Sequence, residues 1–307
     1  MPEMPDIEAY IEALRSRILG QTPQGVRLTS AFLLRTVDPP LAALAEGRVE
    51  GITRLGKRIV FEFALPAGGP GGPPISWFLV LHLMVAGRLH WKAAGAAVPK
   101  GAGLAAFDFQ RGTLLITEAG KKRRASLHLV TSREALGELD PGGVEPLDAS
   151  PAEFNAALRR ENHTLKRVLA DPRILSGIGN AYSDEILHRA RFSPFKMTQA
   201  LSGGDMDRLH DATVTVLREW TERLKAEARQ AFPEHVTAFR PDMAVHGRFG
   251  AACPVCGTTV QRIVYADNEC DYCPGCQTEG RILADRSLSR LLRDDWPRRA
   301  TGREEPE

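Results

Sequence analysis

Two stretches of the chain carry residues whose types and spacing could do chemistry. Near the C terminus, Cys253-x2-Cys256 and Cys273-x2-Cys276 stand 16 residues apart. Each CxxC knuckle supplies two thiolates, and a hairpin between the knuckles closes a tetrahedron around zinc. Cys270 offers a competing pairing with Cys273 that would leave Cys276 spare and shorten the hairpin. The Pro-Gly inside "CPGC", matched by the Pro inside "CPVC", favours Cys273 and Cys276, with Cys270 a free thiol on a strand. Four cysteine ligands leave no open position, so the expectation is one structural Zn2+ per chain.

The other stretch is the beginning, "MPEMPDIEAY". A small residue after Met permits removal of Met1, which would leave Pro2 as a secondary amine. An α-amino group has a pKa near ~8, so part of it is unprotonated at neutral pH. A secondary amine attacking a sugar C1′ gives a charged iminium directly, which is covalent amine catalysis. Glu3 beside it could serve as general acid or base. Most chains that begin Met-Pro use neither residue, so this stretch needs support from elsewhere.

A third motif, "SGIGNAYSDEIL" (176–187), combines Gly177 and Gly179 with Asn180 at the start of a helix. Tight backbone followed by outward-facing N–H groups makes a phosphate site. "KKRR" (121–124) is a charge run between strands; such runs can contact a nucleic-acid backbone.

The elements around these motifs fall into two textures. Ile7, Tyr10, Ile11, Leu14 and Ile18 recur at helical spacing over 6–19, with Gly20 as a stop. Short β-type runs follow at 25–34, 58–65, 77–83, 105–109, 112–119 and 125–130, with a Gly/Pro turn at 66–74. The pattern predicts a β-sandwich or barrel behind one leading helix. From 131 the texture becomes helical. Ser150, Pro151 and Glu153 form a capping-box signature, and helices are expected at 152–160, 163–170, 180–191 and 206–229, with a break at 171–180. A loop (231–250), the Cys cluster with a strand at 258–265, and a short basic helix near 286–294 complete the chain.

The 307 residues with 43% hydrophobic content suffice for two domains. A net charge of +2 neither marks nor excludes a nucleic-acid binder, because one face can still be basic. All five cysteines lie within 253–276, which argues for metal rather than a disulfide framework. There is no signal-like start and no run of about 18 apolar residues, so the expectation is a soluble, cytoplasmic protein without membrane association.

"MPEMPDIE", "RLGKRIVFEF" (54–63), "LHLMVAGRL" (81–89), "LKRVLADPRILSGIGNAYSDEILHRARFSP" (165–194), "VHGRFG" (245–250) and the double CxxC occur in this order. Together, over about residues 1–283, they resemble the Fpg/Nei family of DNA glycosylases. The resemblance implies an α+β multidomain chain. Its parts would be an N-terminal β-sandwich with leading helix (1–131), a linker (132–150), a helix–two-turn–helix domain (151–245), a zinc-ribbon hairpin (246–283) and a basic tail (284–307). It implies a protein that takes damaged double-stranded DNA, cuts the glycosidic bond of an oxidised base and nicks the abasic site by β,δ-elimination; nothing in the sequence suggests symmetric association, so a monomer is expected. By the same resemblance Pro2 is the nucleophile, Glu3 the general acid/base and Lys57 a catalytic lysine that neutralises a phosphate. Asn180 becomes a phosphate ligand, with Lys166 nearby, and Lys122 and Arg123 contact the backbone.

Several positions depart from the family pattern. Five residues before the third zinc cysteine the family usually has a phosphate-gripping arginine; here it is Asn268, which can donate but brings no charge or bidentate fork. Arg262 on the partner strand is a candidate to compensate. The methionine that fills the hole left by the flipped base falls on Val85, with Met84 one position earlier. The Arg/Phe wedge is not evident: "EAGKKRRASL" offers only Lys122, Arg123 and Arg124. The loop that covers 8-oxoguanine is replaced by "AFPEHVTAFRPDMA" (231–244), which argues against 8-oxoguanine as the favoured substrate. Two alternatives follow from these departures: a glycosylase for bulky or crosslinked lesions, or a non-catalytic binder of damaged DNA.

Overall fold

The computed structural model describes residues 1–66, 74–120, 122–265 and 268–284. The basic helix expected at 286–294, Lys121 and most of the 66–74 turn lie outside the described residues. The chain divides into two compact units, Met1–Pro141 with Trp220–Thr237, and Gly142–Glu219 with Ala238–Glu307.

The first unit opens with helix α1 (Met4–Ile18), which begins two residues earlier than the apolar spacing suggests. Its start is fixed by polar chemistry. Glu3 is the N-cap, Pro5 sits in the first turn, and the Glu3 and Asp6 side chains each accept from the other's backbone N–H. The apolar stripe Ile7, Tyr10, Ile11, Leu14 and Ile18 is at most 1% exposed.

Eight strands follow: β1 (Gly25–Leu28), β2 (Arg48–Leu55), β3 (Arg58–Leu65), β4 (Ile75–His82), β5 (Gly87–Lys92), β6 (Gly103–Phe109), β7 (Gly112–Glu118) and β8 (Ser126–Val130). They form two antiparallel four-stranded sheets, β1-β6-β7-β5 and β2-β3-β4-β8. Phe61, Phe63, Leu79 and Leu81 of one sheet meet Phe107, Leu114 and Ile116 of the other in one core, joined by the α1 stripe. This is the expected β-sandwich with a leading helix.

Three details differ from the sequence reading. The 25–34 run is a strand only to Leu28, because Ala31–Leu33 turns into a 3-10 helix. β2 carries a bulge between Val49 and Gly51 that breaks its alternation. β5 carries Arg88, His90 and Lys92 between its apolar residues. Neither β2 nor β5 reads as an apolar run.

The second unit holds α3 (Pro151–Arg159), α4 (Leu165–Ala170), α5 (Asn180–Ala190) and the first part of α6 (Gly203–Gln230), after a short helix α2 (Arg133–Gly137) in the first unit. Ser150 and Glu153 form the expected capping box on α3. The strands β9 (Gln261–Tyr265) and β10 (Asn268–Tyr272) make an antiparallel hairpin, followed by a one-turn helix α7 (Pro274–Gln277). β10 contacts α5, so the ribbon belongs to the helical unit rather than standing alone. The domain boundary expected at 245 also moves. Trp220–Thr237 returns to the first unit, where Leu224 and Ala228 of α6 pack on Ala9 and Ala13, and Phe232 lies 5.9 Å from Tyr10.

Candidate catalytic and nucleic-acid-binding site

In the first unit the residues that could react are buried at the start of α1 and in the β2–β3 turn. Pro2 is buried, Glu3 is 2% exposed and Lys57 8% exposed. Lys57 sits in the two-residue turn Gly56–Lys57 that joins β2 to β3, so the sheet fixes where it points. Burial pulls the Lys57 ammonium below the ordinary lysine range, and the Glu3 carboxylate pulls it back. The Met1 amine, one residue before Pro2, is likewise lowered, first by burial, with Arg88 and Lys57 adding to the effect and Glu3 and Asp6 opposing it. Amine, Glu3, Lys57 and Arg88 are thus electrostatic neighbours in a partly desolvated place. Burial and neighbouring cations of this kind favour the unprotonated form of an amine, the form a nucleophile requires.

The β4–β5 turn stands beside this group in sequence and carries Val85 at its apex. Gly87 N donates to Leu83 O at 2.9 Å, and a Cβ on Gly87 would fall 2.2 Å from that oxygen. The turn forces Met84 to φ 52, and it leaves Val85 58% exposed. Arg88 braces it by donating to Val85 O at 3.1 Å. An exposed apolar side chain on a tightly bonded turn is suited to entering a base stack.

A basic loop follows β7. Glu118, 2% exposed, accepts from Arg124 N and Ala125 N at 2.9 and 3.0 Å, which anchors the loop. Arg123 donates to Gly101 O, while Lys122 is exposed. His82, which the sequence reading passed over, sits on β4 opposite Arg58. Burial and the charges of Arg58 and Lys57 lower its pKa to about 4, and its Nε2 is buried without a hydrogen-bond partner.

In the second unit, Asn180 is the first residue of α5 and half-exposed, where the helix end is partially positive. Lys166 does not reach outward beside it. It is 4% exposed, and its Nζ donates to Asn180 O (2.7 Å), Ser183 Oγ (2.8 Å) and Asp184 Oδ1 (2.5 Å). An ammonium has three donors, and these bonds engage all of them. Lys166 is therefore an internal anchor of the α5 start, not an outward phosphate ligand.

Asp184 is also bonded by His246 Nδ1 (2.8 Å), Asp271 N and the Cys270 thiol (3.3 Å). Asp184, His246 and Asp271 lie close enough together to suggest a cation site. Lys166 and Arg262 already balance the two carboxylates, so the group is a closed ion network. Glu185 next to it accepts from Ala244 N, Val245 N and His246 N, which ties the 241–250 segment to α5.

Arg262 is spent inside the hairpin. Its Nε and Nη2 fork onto Asp271 at 2.8 and 3.2 Å, and Nη1 meets Glu269 at 2.9 Å. It does not stand free to replace the missing phosphate arginine. Asn268 opens β10 opposite Tyr265; its side chain lies outside what the structure describes.

The cysteines gather as the spacing predicts. Cys256 Sγ lies 3.4 Å from Cys273 Sγ, and Cys253 Sγ lies 3.9 Å from Cys276 Sγ. Tetrahedral thiolates around zinc have S···S edges of about 3.8 Å. Backbone crowds the cluster from outside: a Cβ on Gly275 would fall 3.0 Å from Cys256 Sγ and 2.5 Å from Thr258 Oγ1. Burial opposes ionisation of Cys256, but bonds from Thr258 and the neighbouring thiols bring it down to about 6. These residues fit a structural zinc ion. Cys270 is not among them; it is buried on β10 with its thiol on Asp184, which raises its pKa together with burial. The sequence reading also missed His188, on α5, whose Nε2 lies 3.3 Å from Cys253 Sγ and whose pKa burial lowers to about 4.

Comparison with known proteins agrees with this architecture. Residues 1–128 match the formamidopyrimidine-DNA glycosylase N-terminal domain, and 143–230 match the formamidopyrimidine-DNA glycosylase H2TH domain. The formamidopyrimidine-DNA glycosylase of Thermus thermophilus is 33% identical over 290 residues, 91% of this chain and 100% of that protein. The chain belongs to the formamidopyrimidine-DNA glycosylase family. A formamidopyrimidine-DNA glycosylase-like protein of Mycobacterium tuberculosis is 41% identical over 151 residues, 49% of this chain and 94% of that protein. A crystal structure of Lactococcus lactis Fpg with DNA containing N7-benzyl-Fapy-dG superposes with a TM-score of 0.78 at 25% identity. It covers 90% of this chain and 100% of that one. The Fpg fold, β-sandwich followed by H2TH domain, is the fold described above. No helix among the described residues is long and apolar enough to cross a membrane.

Proposed function

We propose that the chain is a DNA glycosylase of base excision repair with a coupled AP-lyase activity, working as a monomer on damaged double-stranded DNA in the cytoplasm. The observation that carries this is the burial of Pro2, Glu3 and Lys57, with the Glu3 and Lys57 charges felt by one another, in a member of this family. Extrusion of the damaged base from the duplex comes first, at a cost of a few kcal/mol. Val85 on its braced turn fills part of the space left behind.

With Met1 removed, the Pro2 nitrogen attacks C1′ of the flipped nucleotide. The C1′–N bond to the base breaks and the base leaves, protonated from solvent or from Glu3. The sugar ring opens to leave a Pro2–C1′ iminium. The iminium draws electrons from C2′, whose proton passes to a base such as Glu3 while the 3′ phosphate departs. A second elimination expels the 5′ phosphate, and water releases the sugar remnant from Pro2. Lys57 offsets phosphate charge during these steps, and the α5 start with Asn180 binds the DNA backbone. Zinc held by Cys253, Cys256, Cys273 and Cys276 would stiffen the hairpin and takes no part in the chemistry.

Borohydride trapping on a duplex with one abasic site tests the proposal. The expected result is a covalent protein–DNA adduct that peptide mapping locates on the Pro2 nitrogen and that disappears when the N-terminal amine is acylated. Normal DNA binding without any adduct would refute the lyase mechanism and leave a non-catalytic damage binder. A panel of lesion duplexes tests scope. The replaced 231–244 loop and the short Val85 support lesions other than 8-oxoguanine, so 8-oxoguanine opposite cytosine should not be the best substrate.

A further inference from the structure

Five donor atoms, rather than four, surround the cysteine cluster. His188 Nε2 and the Sγ atoms of Cys253, Cys273 and Cys276 all lie within 4.8 Å of one another. Cys256 Sγ approaches the same cluster through Cys273, at 3.4 Å. The five are held differently. Cys253, Cys273 and His188 are buried and Cys276 is half-buried, whereas Cys256 is the exposed thiol. His188 rides on an 11-residue helix whose neighbouring carboxylates, Asp184 and Glu185, are fixed by backbone and side-chain bonds. It is a rigidly mounted donor beside a site whose fourth ligand faces solvent.

We propose that His188 is a reserve zinc ligand, which holds the ion with Cys253, Cys273 and Cys276 when Cys256 is lost. The proposal rests on reading the cluster as a zinc site. Cys3His is a donor set that structural zinc accepts, with Zn–N about 2.0–2.1 Å and Zn–S about 2.3 Å. Those lengths require N···S edges of about 3.5 Å in a tetrahedron, and His188 Nε2 already stands 3.3 Å from Cys253 Sγ. The exchange moves one proton within the imidazole. With four thiolates bound, Nε2–H donates to the Cys253 sulfur and supports it from outside the coordination sphere. As a ligand, Nε2 is bare and Nδ1 carries the hydrogen.

The test uses the full chain as wild type, Cys256→Ala, His188→Phe and the double variant, loaded with Zn2+ or Co2+. Metal content is measured by emission spectroscopy, affinity by competition with a chelator, and ligands by Co2+ absorption. Wild type and His188→Phe should show four thiolates. Cys256→Ala should keep one metal per chain, with thiolate charge-transfer intensity reduced by about a quarter. The double variant should bind at least about 10-fold to 100-fold more weakly than Cys256→Ala. His188→Gln serves where Phe disturbs folding. Cys256→Ala binding metal as weakly as the double variant would overturn the proposal. So would equal retention in both, because solvent would then fill the place. Wild-type protein that takes up no stoichiometric metal would instead sink the zinc reading itself.

Discussion

Lys166→Met separates two physical roles for one residue. In the structure the Lys166 side chain is 5% exposed and pairs at 2.5 Å with Asp184, whose side chain is 0% exposed. Methionine keeps the stem and removes the charge, so Asp184 loses its counter-charge in the interior. Breaking a buried pair in this way typically costs about 3–5 kcal/mol. Asp184 keeps donors from His246, Asp271 N and the Cys270 thiol, so the low end, about 3 kcal/mol, is expected. Asn180 O and Ser183 Oγ also lose a donor, which loosens the α5 start. Urea unfolding followed by circular dichroism measures the loss. Adding Asp184→Asn should recover at least half of it, since no unpaired charge then remains. Lesion-duplex binding over a salt series gives the other readout. An outward phosphate ligand would lower the slope of log K against log salt by about 0.9 and leave stability intact. Unchanged stability with that lower slope would refute the anchor reasoning.

Further outcomes follow from other parts of the molecule. Gly87→Ala places a Cβ 2.2 Å from Leu83 O, so the turn must open; a loss of about 2 kcal/mol or more in urea unfolding is expected, with weaker lesion binding. His82 titrates at about 4 in the folded chain against about 6.5 when unfolded, so its contribution is full above pH 6.5 and is lost as pH falls towards 4. Wild type should therefore lose about 2 kcal/mol more than His82→Leu between pH 7 and pH 5, which paired unfolding curves measure. Asn268→Arg should steepen the salt slope of lesion binding by about 0.9; an unchanged slope would mean that position does not face phosphate. Stripping metal with a strong chelator should release hydrogen-exchange protection in β9 and β10 while the first unit keeps its own.

The sequence revealed most where one periodicity or one spacing sufficed. The α1 stripe, the capping box at Ser150 and the double CxxC each encode their own geometry locally, and all three appear as read. β2 and β5 were invisible because a bulge and interleaved charges erase an apolar signal, although pairing in the sheet stabilises both. The anchoring of Lys166 was hidden for a different reason. Its partner Asp184 is 18 residues away, and burial of the pair depends on α4 lying against α5. His188 and His246 read as ordinary helix and loop histidines, since only folding brings them to Cys253 and Asp184. Sequence thus gave the donors, while the decision between an exposed and a buried cation came from packing.

That distinction bears on how the second unit meets DNA. Segment 261–272 contains Arg262 as its one cation against Asp267, Glu269 and Asp271. Arg262 is shared between Asp271 and Glu269, so the hairpin offers phosphate no net positive charge. Lys166 is likewise neutralised within the unit. On the proposed function, the α5 start would bind a phosphate with its helix end and the amide of Asn180, through hydrogen bonds and partial charge. Such contacts position the backbone but release fewer counterions than a lysine or arginine would. On the proposed mechanism, discrimination of damage then falls more heavily on the first unit, where Val85 and the Pro2–Glu3–Lys57 group would respond to a flipped nucleotide rather than to the backbone charge shared by all DNA.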